Sequence, residues 1–339
     1  MGQIDDEKSA RHIRQLSGRF ADGTIIIHGI RVGASWSIVH KHLHHSSVLF
    51  GGIYMGYIER FWFILFCNNI NQYKQSGNIS SYKMNPNLVT IYQSPFPKRR
   101  IGRWTDGGYA VVDIPDIKYD ALIAGGVCDD ISFEEDFIRF QKEQGNPHIK
   151  VYAFDGTVTG LPGSEFKSQI EFVQKNIGEH ETLEITNLHY LLEHYIGKSK
   201  THQNDHPNLF IKMDIEGGEV DWIRSLQPEH MDAMAQIVME FHRPFTNDEI
   251  PMFEKLNRTH LPVHFHPNNA CGTRIHNGVY FPNVFECTYL HKRFFEGVAE
   301  LNRDYVPNDK VDVRNIWSNE EIWIGHPPFV HFEKFERKV

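Results

Sequence analysis

Positive charge is scarce in this chain. Lys and Arg number 35 against 43 Asp and Glu, so its 339 residues carry a net charge of -8. A surface built to hold nucleic acid would carry the opposite excess. Cysteine is scarce too. Cys67, Cys128, Cys271 and Cys287 show neither C-x-x-C nor zinc-finger spacing and read as the reduced thiols of a cytoplasmic protein. Both nucleotide-binding glycine signatures are missing. The lack of G-x-G-x-x-G counts against a dinucleotide, and the lack of G-x-x-x-x-G-K-[ST] excludes a P-loop nucleotidase. Met1 to Arg19 is polar and charged, unlike a secretory signal. No apolar run escapes interruption either: Val48 to Cys67 is nearly long enough to span a bilayer, but Glu59 and Arg60 fall within it, where charge is expensive. That run reads as a buried helix, and membrane contact by 48–67 is the less favoured reading.

What is present is ordinary globular material, 40% apolar and 23% charged. Three regions are expected: a partly helical N-terminal extension over 1–94, a main domain over 95–300, and a C-terminal tail or wrap over 301–339. The run His40, His42, His44 and His45 in the first region reads as a solvated loop rather than a metal site. From Arg100 onward strands alternate with helices. Ala110 to Val112, Ala121 to Gly126, Ile149 to Phe154, Leu209 to Met213 and Gln236 to His242 read as strands, with a weaker one over Thr182 to Thr186. Helices are expected from a Ser132 N-cap, over Ser164 to Asn176, over Leu188 to Tyr195 and over Val220 to Leu226. The alternation predicts an α/β fold with a mostly parallel sheet. Val263 to His266 and Val284 to Leu290 have no helix between them and should form an antiparallel hairpin at the sheet edge.

Ligands of open α/β sheets sit outside the carboxyl ends of the strands, which makes the residues just past each apolar run informative. Gly125 and Gly126 end one strand and precede a helix, where a side-chain-free backbone and free N–H groups suit a ligand. Asp155, followed by Gly156, ends the next strand, where a carboxylate commonly accepts from ribose hydroxyls. Together they suggest an adenosine-containing ligand without a pyrophosphate. Asp214 and Glu216 end a third strand, either as helix caps or as site residues. Glu240 and His242 end a fourth, and His264, His266, Asn268, Asn269 and Glu286 lie on the hairpin. A histidine among carboxylates suits general-base work on a hydroxyl. Asp214, Glu240 and His242 would also suit a divalent metal, which is possible there but not predicted.

Asp106-Gly-Gly-Tyr109, Phe154-Asp155, Lys212-Met-Asp-Ile-Glu-Gly-Gly-Glu219 and His266-Pro-Asn-Asn269, in that order, resemble the FkbM-type S-adenosylmethionine-dependent O-methyltransferases over about 99–292. The resemblance implies a class I, Rossmann-like methyltransferase sheet and a hydroxyl acceptor on a sugar or other small molecule. It implies that Asp106, Gly107, Gly108, Gly125, Gly126, Asp129 and Glu134 line the cofactor site, that Asp155 and Gly156 lie at the ribose, and that Asp214 sits beside the transferred methyl group. Two departures stand out. Ala-Gly-Gly-Val-Cys-Asp-Asp replaces the D-x-G-A-x-x-G loop of many relatives, and Asp155 stands where Glu is common.

The expected function is therefore methyl transfer from S-adenosylmethionine to a hydroxyl, with His242 or His266 as base and Asp214 and Glu216 orienting. Two rivals remain: a metal-dependent oxygenase or hydrolase using His264, His266 and Glu286, and a non-catalytic interaction protein.

Overall fold

The computed structural model describes residues 17–19, 25–27, 30–32, 86–201, 206–242, 250–276 and 279–332. It divides into two units, 1–79 and 80–339. Within the first, Ser17–Arg19, Ile25–Ile27 and Ile30–Val32 pair as a three-stranded antiparallel sheet. The expected helix over 48–67 and the histidine run lie outside the described residues.

The second unit is an α/β structure around a seven-stranded mixed sheet. Its strands are β1 (Ala121–Gly125), β2 (Lys150–Phe154), β3 (Ile170–Val173), β4 (Leu209–Met213), β5 (Met234–Phe241), β6 (His260–Pro267) and β7 (Phe285–His291). Their spatial order is β3-β2-β1-β4-β5-β7-β6. All run parallel except β7, which pairs antiparallel with both β5 and β6. The order reverses between β1 and β4. The helices among the described residues are α1 (Ser132–Glu143), α2 (His189–Thr201), α3 (Glu219–Ser225), α4 (Pro228–Ala233) and α5 (Ile250–Thr259).

Strand alternation divides the core. Leu209, Ile211 and Met213 of β4 pack with Leu192, Trp222, Met231 and Phe253 from α2 to α5. Phe210 faces the other way, into a cluster with Phe133, Phe137 and Phe140 of α1 and with Tyr109 to Val112. Both faces of the central strands are thus covered, which is why β1, β4 and β5 read as near-continuous apolar runs. The second cluster also takes in the antiparallel pair Lys98–Ile101 and Tyr109–Val112. That pair is fastened to the sheet by Gln236, whose amide accepts from Val112 N–H at 2.6 Å and donates to Val112 C=O at 3.1 Å and Tyr119 Oη at 2.8 Å.

The β6–β7 hairpin forms at the sheet edge as expected, with a smaller hairpin, Thr273–His276 and Val279–Pro282, in its connection. Two local expectations need correcting. Ser164 to Asn176 is not a helix. Ser164 Oγ accepts from Phe166 N–H to close a turn, and Ile170 and Phe172 then alternate toward one face as strand β3. Nor is Ser132 the N-cap of α1. It is the first helical residue, and Asp130 Oδ1 accepts its N–H at 2.9 Å.

Residues 301–332 lie against the same unit. Val306, Ile324, Phe329 and Val330 join the larger core cluster, and Asn302 N–H donates to Ile91 C=O at 2.9 Å.

Candidate active site

The alternation that splits the core also sorts the polar residues. Lys212, Gln236, Glu240, Glu286 and Thr288 alternate with residues of the larger cluster, and His264 and His266 stand opposite Thr288 and Glu286. This side of the sheet faces α1 and the Lys98–Val112 hairpin. At the carboxyl ends of β4 and β5 it gathers an unusual density of acids around one imidazole.

His242, one residue past β5 and 4% exposed, lies within ion-pair range of four carboxylates. Its Nδ1 meets Glu219 Oε1 at 3.0 Å. Its Nε2 faces Glu240 Oε2 at 3.4 Å, Glu216 Oε2 at 3.5 Å and Asp214 Oδ1 at 3.7 Å. The outer oxygens of two of these acids are held from behind. Tyr109 Oη donates to Asp214 Oδ2 at 2.8 Å, and Asn268 Nδ2 donates to Glu240 Oε1 at 2.7 Å. Asp214 and Glu216 are therefore not helix caps: α3 begins at Glu219 behind Gly218, with no side-chain cap bond.

Crowding sets the protonation states. Burial opposes a charge on His242, but Glu216, Glu219 and Glu240 hold its pKa well above the usual value. Glu240, buried and beside Asp214, is pushed well above the carboxylate range. Asp214 also suffers burial, yet Lys212, His242 and the Tyr109 hydroxyl keep it below that range. Lys212 is the cation behind the cluster. It is 5% exposed, and its Nζ donates to Gly126 C=O at 2.9 Å and lies 5.6 Å from the Tyr109 ring centroid. The surrounding acids favour the imidazolium form of His242, which makes it a poor base.

His266, the other candidate base, is fully buried and belongs to a second cluster. Its Nδ1 meets Glu286 Oε2 at 3.1 Å. Burial opposes its charge, but Glu286 and Asp312 raise its pKa to about 9. His264 Nε2 pairs with Asp312 Oδ1 at 2.7 Å, and burial holds the imidazole pKa down. Asn315 Nδ2 bridges Glu286 Oε1 at 2.7 Å and Asp106 Oδ1 at 3.1 Å. Among the described residues one group converges as metal ligands do, and it is Asp214, Glu240 and His242. His264, His266 and Glu286 form no such group: His264 pairs with Asp312, and His266 lies between Glu286 and Glu321, whose Oε1 is 3.8 Å from Nε2.

The loops after β1 and β2 meet beside this rim. Gly126 has φ +71°, and a Cβ there would sit 1.7 Å from Asp214 C=O. Its glycine is thus required by the neighbouring strand end. Gly107 and Gly108 are similar: a Cβ would lie 2.8 Å from Asp130 Oδ2 and 1.9 Å from Arg103 C=O respectively. Asp155 uses both oxygens within the protein, Oδ2 accepting from Cys128 N–H at 2.9 Å and Oδ1 from Thr157 N–H at 2.7 Å. Gly156 N–H donates to Asn176 Oδ1 at 3.1 Å. Asp129 is exposed. Glu134 is 1% exposed, and neither of its oxygens has a hydrogen-bond partner among the described residues. Burial lifts its pKa to about 7 against the pull of Lys212. No protein-family model matches this chain, and no curated protein does.

Sequence reasoning passes over several of these groups. Tyr109 and Glu219 lie inside the glycine-rich motifs, where an aromatic and an extra acid are easily taken for packing and a helix start. Asp312, Asn315 and Glu321 give no signal, because the segment carrying them has no periodicity.

Proposed function

We propose that the protein is an S-adenosylmethionine-dependent methyltransferase acting on a hydroxyl. The observation that carries this reading is the placement of the His242 cluster on a sheet of order β3-β2-β1-β4-β5. That is the order of the doubly wound nucleotide-binding fold up to its fifth strand, with an antiparallel pair in place of the sixth. The order reverses between β1 and β4, so the loops of β1 and β2 and the acids of β4 meet at the switch point where such folds hold ligands. The Asp106–Tyr109, Lys212–Glu219 and His266–Asn269 motifs add the FkbM-type resemblance, and the Rossmann-like class I fold belongs to the same reading.

The residues present fit the cofactor. Glu134 is a buried carboxylate with two unsatisfied oxygens, and such groups call for an explanation. A ligand's ammonium group would satisfy it. Asp155 keeps unused lone pairs for ribose hydroxyls despite its loop bonds. Bound there, S-adenosylmethionine supplies an electrophilic methyl group on a sulfonium. The chain's own part is to hold an acceptor in line and take up its proton. Because His242 is held protonated, the proton passes to the carboxylates: Asp214, fixed by Tyr109, orients the hydroxyl, and the more exposed Glu216 receives the proton at the rim. A sugar acceptor would suit Trp104 and Trp317, 69% and 63% exposed, which lie two residues along the chain from Asp106 and Asn315, themselves joined by a hydrogen bond. Flat indole faces beside polar groups suit a pyranose ring.

Calorimetry tests the reading. S-adenosylmethionine should bind the full chain, and Asp155→Ala and Glu134→Gln should each weaken it by about tenfold or more. Absence of binding, or indifference to both substitutions, overturns the proposal.

A further inference from the structure

We infer that Asp214, Glu240 and His242 form a site for a single divalent cation of the Mg2+ or Mn2+ type, with coordination positions left open toward the rim. Each of the three residues has one polar atom committed to a different protein group. His242 Nδ1 is held by Glu219, Asp214 Oδ2 by Tyr109 and Glu240 Oε1 by Asn268. The three other atoms turn toward one another: Nε2 lies 3.4 Å from Glu240 Oε2 and 3.7 Å from Asp214 Oδ1. One ligand atom from each residue falls within 4.8 Å of the others. Ligands at right angles around an ion with bonds of about 2.1 Å stand about 3 Å apart, so the two sides of the triangle that meet at His242 Nε2 are within about 1 Å of that spacing.

The arrangement has the form of a metal site with its supporting shell already built. A histidine ligand commonly donates its other N–H to a carboxylate, which fixes ring and tautomer, and Glu219 is placed to do that. Asp214 Oδ1 adds to this: it is shut off from solvent and faces the other two members of the triad, with His242 Nε2 3.7 Å away and Glu240 able to donate to it only while that carboxyl holds a proton. Charge points the same way. Four carboxylates, Asp214, Glu216, Glu219 and Glu240, surround the one imidazole, so a dication that displaced protons from this cluster would still be balanced by negative charge. One imidazole among carboxylates, with no thiolate, favours a hard or borderline ion over Cu(I) or a sulfur-bound metal.

The cation would bind through His242 Nε2, replacing a proton there. In the methyl-transfer reading, on which this role rests, the acceptor oxygen takes an open position and its hydroxyl is acidified, so that a carboxylate such as Glu216 suffices as base. The existence of the site does not depend on that reading.

The test is Mn2+ titrated into the full chain, with and without S-adenosylhomocysteine, followed by loss of the free-ion electron paramagnetic resonance signal. One equivalent should bind. Glu240→Gln and His242→Ala should each weaken binding on the order of a hundredfold, and Tyr109→Phe on the order of tenfold through the orphaned Asp214 oxygen. Exposed His148→Ala serves as the control and should bind as wild type. If circular dichroism shows His242→Ala unfolded, Asp214→Asn takes its place. No saturable binding under either condition, or equal affinity in wild type and Glu240→Gln, overturns the inference. Mn2+ uptake without S-adenosylmethionine binding would leave the cation site standing and sink the methyltransferase reading; the reverse result would sink the cation site alone.

Discussion

Two buried histidine–carboxylate clusters lie on the same face of one sheet, and they are built to opposite plans. Around His264 and His266 three acids serve two imidazoles: Asp312 and Glu286 bond them at 2.7 and 3.1 Å, and Glu321 Oε1 stands 3.8 Å from His266 Nε2. Around His242 one imidazole meets four acids. In the first, matched set each ring is bonded by one close acid, although His266 Nε2 is buried without a hydrogen-bond partner among the described residues. The crowded, unmatched set must hold extra protons, as the raised Glu240 and His242 pKa values reflect, or take up a cation, and ionisable groups with strongly displaced pKa values gather at functional sites. The first cluster therefore reads as structure, pinning residues 308–321 to the sheet edge, and the second as the site.

Separating stability from turnover is the most forceful way to break this contrast. Asp214→Asn keeps an oxygen for the Tyr109 hydroxyl, so stability should change by less than about 1 kcal/mol, while methyl transfer falls by about 10³-fold. Glu286→Gln should do the reverse. It removes the nearer acid from the buried His266 imidazolium, leaving Glu321 at 3.8 Å, at a cost of about 3 kcal/mol, with turnover per folded molecule little altered. Tm and kcat measured on both variants decide it. Loss of transfer at unchanged Tm in Glu286→Gln would erase the distinction.

A backbone substitution sharpens the same contrast at the unmatched cluster. In Gly126→Ala the new Cβ collides with the Asp214 carbonyl at a positive φ, and something must shift. A loss of more than about 3 kcal/mol is expected, with Asp214 displaced from Tyr109. At Gly160 a Cβ meets nothing within 4 Å, and Gly160→Ala should stay within about 0.5 kcal/mol of wild type. Denaturant melts of the two variants compare them directly.

The matched cluster should also leave a pH signature. His266 titrates at about 9 in the fold against 6.5 when free. Its pKa is raised, so its contribution is fully present below 6.5 and is lost as pH climbs through 9. At about 1.4 kcal/mol per unit, the loss is on the order of 3 kcal/mol. His242 has a raised pKa too and acts in the same direction, so the His266 share is the part of the alkaline slope that Glu286→Gln removes. His260 opposes on the acid side: burial lowers it to about 3, and its contribution disappears as pH falls below 6.5. Stability measured across this range should be greatest near neutrality.

The sheet was legible in the sequence because buried parallel strands are short apolar runs with polar stops, and Leu209 to Met213 ending at Asp214 shows the pattern plainly. The same stops located the rim, since residues just past the parallel strands of such a sheet all fall along one edge. Features that periodicity does not carry were lost. Ile170 and Phe172 alternate over too few residues to outweigh the helix-forming Glu, Lys and Gln around them. Gly126 looked like an opening for a ligand, whereas its φ and the Asp214 carbonyl explain it. Asp312, Asn315 and Glu321 reach the polar face only because the chain folds back over the β6–β7 edge. Matching of charges was also invisible, because it depends on which side chains meet across strands.

Asp155 offers the finest test, because it belongs to neither plan. Its carboxylate accepts three hydrogen bonds, and every donor comes from the loops after β1 and β2: Cys128 N–H, Thr157 N–H and Thr157 Oγ1. If it holds ribose, the Thr157 hydroxyl competes with the ligand for Oδ1. Thr157→Val removes that competitor while leaving the two backbone donors. Stability should fall by about 1 kcal/mol for the lost hydrogen bond, and S-adenosylmethionine should bind within about threefold of wild type, less than 1 kcal/mol on the affinity scale. Asp155→Ala should weaken binding by about tenfold or more. Equal losses in the two variants would show that Asp155 acts by latching the loops together. Asp155 would then join the matched cluster as structure, leaving Glu134 as the cofactor-facing acid on this side of the sheet.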